Sequence, residues 1–192
     1  LANGALSGGG TEYEIRKKLI ENRLVEAILI LPQNLFYTTN ISVTVWVLNK
    51  NKKKRQLNIN GKHWDYRDRR DEVLFFDLRE KGIPFEKKFI QFSEEESKEI
   101  AGTLHNWQQE GHQNTYENIP EFCYSANIEE IRKKDYSLVP SKYIEFMNRD
   151  ENIDFDSKMK KLQTEISQLL KEEEDSKQEL LDIFKDLGYE LK

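Results

Sequence analysis

Three short apolar runs set the pattern of the first eighty residues. The run at 25–31 is almost continuous, is rich in β-branched residues and ends at Pro32. A run of this length without polar alternation predicts a strand that is buried on both faces of a sheet. Further runs at 41–48 and 73–78 predict two more strands.

Helices are predicted from side chains that can close a helix N-terminus. In a capping box, a Ser or Thr precedes a Glu by three residues, and each side chain bonds the backbone of the other. Pairs with this kind of spacing are Thr11 with Glu14, before a helix to about Arg23; Ser93 with Glu96, before a helix to about Gln109; and Asn127 with Glu130, before a helix over 128–134. Strands that alternate with helices predict an α/β sheet with helices on its faces.

The other segments give weaker patterns. Residues 49–72 are polar and basic and contain no clear element, and residues 110–126 indicate an irregular, packed connection. Residues 136–146 indicate an extended segment that Pro140 interrupts. We therefore divide the chain into an α/β part, a helical and irregular part, and a C-terminal part, with the bounds 1–92, 93–150 and 151–192.

The C-terminal part carries a heptad pattern, in which apolar residues alternate at steps of three and four. The residues of this stripe are Met159, Leu162, Ile166, Leu169, Leu180, Ile183 and Leu187. Such a stripe is typical of a helix that pairs with another helix, as in a coiled coil. Glu173 and Ser176 stand where apolar residues are expected, so one long helix, a helical hairpin and pairing with another chain are all open.

Composition adds two constraints. The chain has 192 residues, of which 37% are hydrophobic and 34% are charged, with a net charge of -5. Because globular domains usually have about 45–50% apolar residues, we expect part of the chain to be solvated or covered by a partner. The single cysteine, Cys123, cannot form an internal disulfide, which favours a cytoplasmic protein, and no apolar run approaches the ~20 residues that span a bilayer.

Several catalytic patterns are absent from the sequence. The three histidines share no metal-ligand spacing, no phosphate-binding glycine-rich loop of the Walker type occurs, and no catalytic triad can be proposed. The candidates are therefore binding residues.

The loop at 33–40 is the first candidate site, because it leaves the carboxyl end of a buried strand, where α/β proteins bind ligands. It places two aromatic residues, Phe36 and Tyr37, in a polar loop. An enzyme that modifies a nucleobase needs a flat apolar face for the base that it takes out of the duplex, and such stacking contributes about 1–3 kcal/mol. Phe36 could supply that face, although spacing alone favours two aromatic side chains that cover the end of the sheet.

The basic stretch is the second candidate. Residues 50–72 contain nine Lys or Arg and four Asp or Glu. Side chains that could contact DNA phosphates are Lys52, Lys53, Lys54, Arg55, Arg67, Arg69 and Arg70. A solvated loop between two strands is an equal alternative, and Trp64 and Tyr66 could either stack on a base or anchor that loop.

Eight segments together resemble type I N6-adenine DNA methyltransferases, the modification subunits of type I restriction–modification systems. They are residues 3–6, 14–21, 25–32, 34–39, 73–79, 119–123, 128–132 and 135–143. The resemblance therefore covers about residues 1–146, whereas the heptad tail is similar to the family only in kind.

The resemblance implies a Rossmann-like fold and transfer of a methyl group from S-adenosylmethionine to N6 of adenine in DNA. It also implies that a glycine-rich cofactor loop and an Asn-Pro-Pro-aromatic motif precede the matched segments. Neither is found here, and the four prolines, at 32, 84, 120 and 140, include no adjacent pair. We therefore expect a C-terminal portion of the subunit that contains no catalytic residue, and that alone is inactive and binds no S-adenosylmethionine.

The resemblance also strengthens the hypothesis that Phe36 contacts a nucleobase. Phe36 matches the family position whose ring stacks on the flipped base, and Tyr37 and Asn34 are lesser candidates for contact with that base. One wall of the adenine pocket is therefore expected at this loop.

The implied partners are DNA, one specificity subunit and a second modification subunit, with the restriction subunit as a further candidate and no membrane. In the family, the C-terminal region contacts helices of the specificity subunit, which assigns partner binding to Leu162, Ile166, Leu169, Leu180, Ile183 and Leu187. Two other hypotheses stand beside this one. The chain could be a non-catalytic assembly module, or a DNA-binding domain built on the basic stretch, whose binding to duplex DNA would depend on salt.

Overall fold

The computed structural model describes residues 1–147 and 155–186. They belong to two units, Leu1–Met147 and a C-terminal unit that begins at residue 148. In chain order the helices and strands are α1 (Thr11–Glu21), β1 (Val25–Ile30), β2 (Thr44–Leu48), β3 (Arg55–Ile59), β4 (Lys62–Tyr66), β5 (Glu72–Asp77), β6 (Ile83–Phe85), β7 (Phe89–Gln91), α2 (Glu94–Gln108), β8 (Cys123–Asn127), α3 (Ile128–Lys133) and α4 (Phe155–Asp186). The division at residue 92 stays a prediction.

A four-stranded mixed sheet, in the order β2-β1-β5-β8, organises the first unit. The central strands β1 and β5 run parallel, with Ile30 opposite Asp77, and each edge strand runs antiparallel to its neighbour. Both central strands are almost wholly buried, which explains why their sequences are nearly continuous apolar runs. The strand predicted to be buried at 25–31, the further strand predicted at 73–78 and the mixed α/β class are confirmed.

Alternate residues of the central strands build two separate apolar layers, because successive side chains of a strand point to opposite faces. On one face, Phe75 belongs to a cluster that includes Ile20 of α1 and Ile131 of α3. On the other face, Leu74 belongs to a cluster that includes Trp107 of α2. Helices therefore cover both faces of the sheet, as predicted.

Two of the three predicted helix caps are present. The Ser93 hydroxyl accepts a hydrogen bond from the Glu96 backbone N–H at 3.1 Å, and the Glu96 carboxylate accepts one from the Ser93 N–H at 2.9 Å. The Asn127 side chain accepts from the Glu130 N–H at 2.9 Å. These local bonds explain where α2 and α3 begin.

Two predicted element starts are wrong. Thr11 is the first residue of α1 rather than its cap, and the cap residue, Gly10, has no side chain to bond the backbone. The strand expected over 41–48 begins only at Thr44. Residues 41–43 precede the strand, although two of them are apolar.

Strands also occur in segments for which none was predicted. Within 49–72, β3 and β4 pair around Asn60 and Gly61, whose φ angles of 52° and 76° suit a two-residue hairpin turn. The Asn-Gly signal was present in the sequence, but the polar strands beside it hid the hairpin. Within 110–126, the irregular connection ends in β8, which pairs with β5.

The C-terminal unit is described by one uninterrupted helix of 32 residues, α4. Glu173 and Ser176 lie inside it, so the described residues form one helix rather than a hairpin. At 1.5 Å per residue the helix is about 48 Å long. Leu187, the last residue of the predicted stripe, lies outside the described residues.

A buried charge network joins the basic stretch to the sheet. Glu26, in β1, is fully buried, and its carboxylate accepts hydrogen bonds from Arg69 Nε at 2.7 Å, Asn49 at 2.9 Å and Gln108 at 3.0 Å. A charge removed from water is tolerated only when it is paired and hydrogen-bonded. The Glu26–Arg69 pair therefore fixes the chain before β5 against β1.

Two other basic side chains of this stretch also point inward. Lys52 Nζ donates to the carbonyl oxygens of Val25 at 2.7 Å and Glu72 at 2.6 Å. Arg67 forms a two-pronged ion pair with the Glu72 carboxylate, at 2.7 and 2.9 Å, and donates from Nε to the Trp107 carbonyl at 2.6 Å. The network thus links β1, β5 and the end of α2.

We predict that Glu26→Gln lowers the free energy of unfolding by about 3 kcal/mol, because it leaves the buried Arg69 guanidinium without a charged partner. Urea denaturation of both proteins measures the difference. The control is Asp68→Asn, which breaks the solvent-exposed pair with Arg70 and should cost less than about 1 kcal/mol. Equal losses of unfolding free energy in the two variants would show that the buried pair stabilises the fold no more than the exposed pair does.

Candidate functional site

The two parallel strands end at the same edge of the sheet, and the candidate loop begins there. The Leu78 N–H, just after β5, donates to the Ile30 carbonyl at 2.9 Å. The loop after β1 is closed by a bond of 2.9 Å from the Leu31 N–H to the Val43 carbonyl. This edge is the usual ligand-binding side of an open α/β sheet.

Two adjacent loop residues have different surroundings. Leu35 packs against the cluster that contains Trp107, so it is the side chain that covers this end of the sheet. Phe36 is 45% exposed, and a bond from the Thr39 N–H to its carbonyl closes a turn directly after it. The exposure of the Phe36 ring therefore argues against the alternative in which this ring only covers the end of the sheet.

Tyr37 and Asn34 connect the loop to the β6–β7 hairpin. The Asn34 backbone is in the left-handed region, at φ 59°, and its carbonyl accepts the Ile90 N–H at 3.1 Å. The ring of Tyr37, 68% exposed, meets the ring of Phe89 edge-on, with centroids 4.6 Å apart. The loop is thus held against β7 at two points.

Sequence reasoning missed the β6–β7 hairpin and its part in the site. A polar pocket lies between loop and hairpin, and it is lined by Asn34, Tyr37, residues 38–40, Lys88 and Phe89. The only local signal was the polar turn 86–88 between two short apolar segments. Nothing in that signal indicated that the turn would meet a loop so far away in the sequence.

The basic stretch divides into inward and outward side chains. Lys52, Arg67 and Arg69 are buried in the network, so their charges do not face solvent. Lys53 is exposed, and Lys54 is exposed with its ammonium 3.1 Å from a Glu110 carboxylate oxygen. The Lys52 ammonium is instead used by the backbone carbonyl oxygens of Val25 and Glu72.

The remaining groups of the stretch anchor it to its own surroundings. The Arg55 guanidinium lies 5.3 Å from the centroid of the Tyr66 ring. Trp64 stacks on His105 of α2, with centroids 5.3 Å apart. Arg70 is exposed and paired with Asp68 at 2.7 Å. The contacts of Trp64 and Tyr66 therefore favour anchoring over stacking on a base.

The apolar stripe of α4 is exposed along the described helix. The exposed fractions are 43% for Leu162, 56% for Ile166, 63% for Leu169, 50% for Leu180 and 56% for Ile183. Isolated helices rarely keep such a stripe in water without a covering surface. None of the described helices is long and apolar enough to cross a membrane.

Sheets of this kind usually hold a nucleotide cofactor on a glycine-rich turn after a parallel strand. The parallel strands described are followed by Leu31 and by Leu78, and the Asp77 carboxylate at the end of β5 is held by Arg79 at 2.6 Å. Nor does any group of three or more His, Cys, Asp or Glu side chains within the described ranges suit a metal ion. That this chain alone binds no S-adenosylmethionine stays a prediction.

Comparison with known proteins gives consistent relatives. The model of the N-6 DNA methylase family matches residues 1–152. The chain is 37% identical over 191 residues to the type I restriction enzyme HindI methylase subunit of Haemophilus influenzae, covering 98% of this chain and 38% of that protein. It is 33% identical over 189 residues to the type I restriction enzyme MjaIX methylase subunit of Methanocaldococcus jannaschii, covering 98% and 31%. The chain thus spans about a third of the length of these relatives.

Solved structures share the fold. The type I restriction-modification methyltransferase subunit from Streptococcus thermophilus has a TM-score of 0.58 at 26% identity, covering 76% of this chain and 25% of that chain. The type I restriction enzyme EcoKI M protein has a TM-score of 0.50 at 18% identity, covering 78% and 34%. The fold class expected from the resemblance is confirmed.

Burial lowers the pKa of Lys52 to about 8, against an opposing effect of the nearby Glu26 carboxylate. The charged amine is thus disfavoured in the folded state below pH 8, and this penalty is relieved as the pH rises toward the ordinary lysine value. We predict that the free energy of unfolding, relative to Lys52→Met, rises by about 1 kcal/mol between about pH 7 and pH 9. Urea denaturation at both pH values measures it, and a constant difference would contradict the lowered pKa.

Proposed function

The chain belongs to the N-6 DNA methylase family, and from that premise we propose that the whole protein is the methylating subunit of a type I restriction–modification system. Its reaction would transfer a methyl group from S-adenosylmethionine to N6 of adenine in DNA, in the cytoplasm. Relatives that align with almost the whole chain bear the name of type I methylase subunits, which supports this proposal.

Within that protein, we propose that Phe36 receives the target adenine. The observation that carries this role is its half-exposed ring at the carboxyl edge of the sheet, next to a Leu35 that already covers the core. Stacking on an aromatic ring contributes about 1–3 kcal/mol per base, which offsets much of the few kcal/mol needed to unstack a base. The ring would also fix the plane of the adenine and so orient its amino group. Tyr37 and Asn34 are lesser contacts in this proposal.

DNA contact would extend to the outward basic side chains. Lys53 and Lys54 are exposed just before the β3–β4 hairpin, and Arg55 is half-buried at its start. Contacts from these side chains to phosphates would fix the duplex without reading its sequence. Sequence reading would belong to a specificity subunit. A second methylating subunit and the restriction subunit complete the proposed set of partners.

We propose that the apolar stripe of α4 docks the specificity subunit. Its residues are exposed and recur on one side of a continuous helix, which is the arrangement of a helix that pairs with other helices. Docking and base binding would then lie in different units of the chain.

We predict that Phe36→Ala lowers kcat/KM for adenine methylation about tenfold to a hundredfold in the full-length protein assembled with its specificity subunit. Phe36→Tyr keeps a flat ring and should retain most activity. The matched control is Ile41→Ala, since Ile41 is a similarly exposed apolar residue directly after the same loop. A 2-aminopurine at the target position reports base flipping in parallel. Unchanged turnover in Phe36→Ala would instead favour a scaffold role for this loop.

We predict that Leu162→Glu combined with Ile166→Glu weakens association with the specificity subunit about tenfold or more, because the charges enter an apolar interface. Analytical ultracentrifugation measures association, and circular dichroism checks that helix content is unchanged. Thr164→Glu is the control, because Thr164 lies about 200° around the helix from Leu162. Undiminished association of the double variant would remove α4 as the docking element.

A further inference from the structure

The pocket between the loop and the β6–β7 hairpin has the composition of an anion site. The loop contributes the hydroxyls of Thr38 and Thr39 and the amide of Asn40, and the hairpin turn contributes Lys88. No Asp or Glu is among its lining residues. Hydroxyl, amide and ammonium groups are among the side-chain donors that contact phosphate oxygens of nucleic acids.

The charge of Lys88 is not used inside the protein. Within the part of the chain that the structure describes, its ammonium makes no ion pair or hydrogen bond, and its contact is with the Phe89 ring, 5.2 Å to the centroid. Lys81, by contrast, is neutralised by Glu99 at 2.7 Å. Lys88 therefore presents a full positive charge beside uncharged donors.

The pocket is held in place before any ligand binds. The bond from the Ile90 N–H to the Asn34 carbonyl and the edge-on contact of Tyr37 with Phe89 fix the hairpin to the loop. Tyr37 lines the pocket, and the proposed base-stacking residue, Phe36, directly precedes it. A nucleotide whose base lies on Phe36 would thus bring its backbone close to Lys88.

We propose that this pocket binds a backbone phosphate of the DNA strand that carries the target adenine. Lys88 supplies the charged contact, and Thr38, Thr39 and Asn40 supply neutral donors. The phosphate holds the strand while its base leaves the stack, so the pocket positions the substrate and takes no part in methyl transfer. The inference rests on the proposed function, since it takes DNA as the ligand.

The test compares Lys88→Gln with Lys87→Gln in the full-length protein assembled with its specificity subunit. Lys87 is the neighbouring lysine of the same exposed turn, but it does not line the pocket. DNA binding is measured by fluorescence anisotropy over a series of salt concentrations. For Lys88→Gln we expect the slope of log Kd against log salt to fall by about 0.9, as for one lost phosphate contact, with Kd about fivefold higher. Lys87→Gln should behave as the unaltered protein.

Neutral methylphosphonates, placed one at a time around the target adenine, locate the contact. At one position the methylphosphonate should weaken DNA binding by the unaltered protein and by Lys87→Gln. The same methylphosphonate should not change DNA binding by Lys88→Gln. In Thr38→Val, the methylphosphonate at that position should still weaken DNA binding, but less than it does in the unaltered protein. The proposal is overturned if Lys88→Gln and Lys87→Gln behave alike, or if every methylphosphonate affects Lys88→Gln as it affects the unaltered protein.

A separate arm adds inorganic phosphate at constant ionic strength. If it displaces DNA from the unaltered protein but not from Lys88→Gln, while no methylphosphonate position depends on Lys88, the site takes free phosphate and the DNA assignment fails. DNA binding is measured without methylation. A failure of the phosphate proposal can therefore be distinguished from a failure of the proposed function. Loss of methylation in Phe36→Ala with equal binding by the two lysine variants would reject only the pocket.

Discussion

The Glu26 carboxylate is fully buried in the sheet, where an ionised group costs several kcal/mol unless it is paired and hydrogen-bonded. Its three donors come from the segment after β2, the segment before β5 and the end of α2. Satisfying one acid therefore draws three distant segments onto β1. With β1 and β5 joined in this way, their carboxyl ends meet at one edge of the sheet. The loop that bears Phe36 therefore starts from a rigid strand end.

Features that depend on local chemistry could be predicted from the sequence. The buried strands were visible as apolar runs, and the starts of α2 and α3 were visible in Ser93 and Asn127, whose side chains bond backbone groups three residues later. Phe36 could be selected only through the resemblance to type I methyltransferases, because an aromatic residue in a polar loop has several explanations.

Features that depend on distant partners could not be predicted. Lys52, Arg67 and Arg69 form part of a basic stretch whose composition indicates solvent or DNA, yet their partners fold over them from other elements. The β6–β7 hairpin acquires its role only when Ile90 bonds Asn34 across the site. Charge counted along the sequence therefore overstated how many basic side chains of residues 50–72 face solvent, and it gave no weight to the exposed Lys88.

The division of work between Leu35 and Phe36 has an evolutionary consequence. Leu35 is held by the core, so its replacement changes folding, whereas the exposed side chain at position 36 can change with little effect on it. Selection on the proposed contact with the base and selection on stability would thus act on neighbouring but separate residues. A lineage can explore ring size and polarity at position 36 without first acquiring compensating mutations in the core.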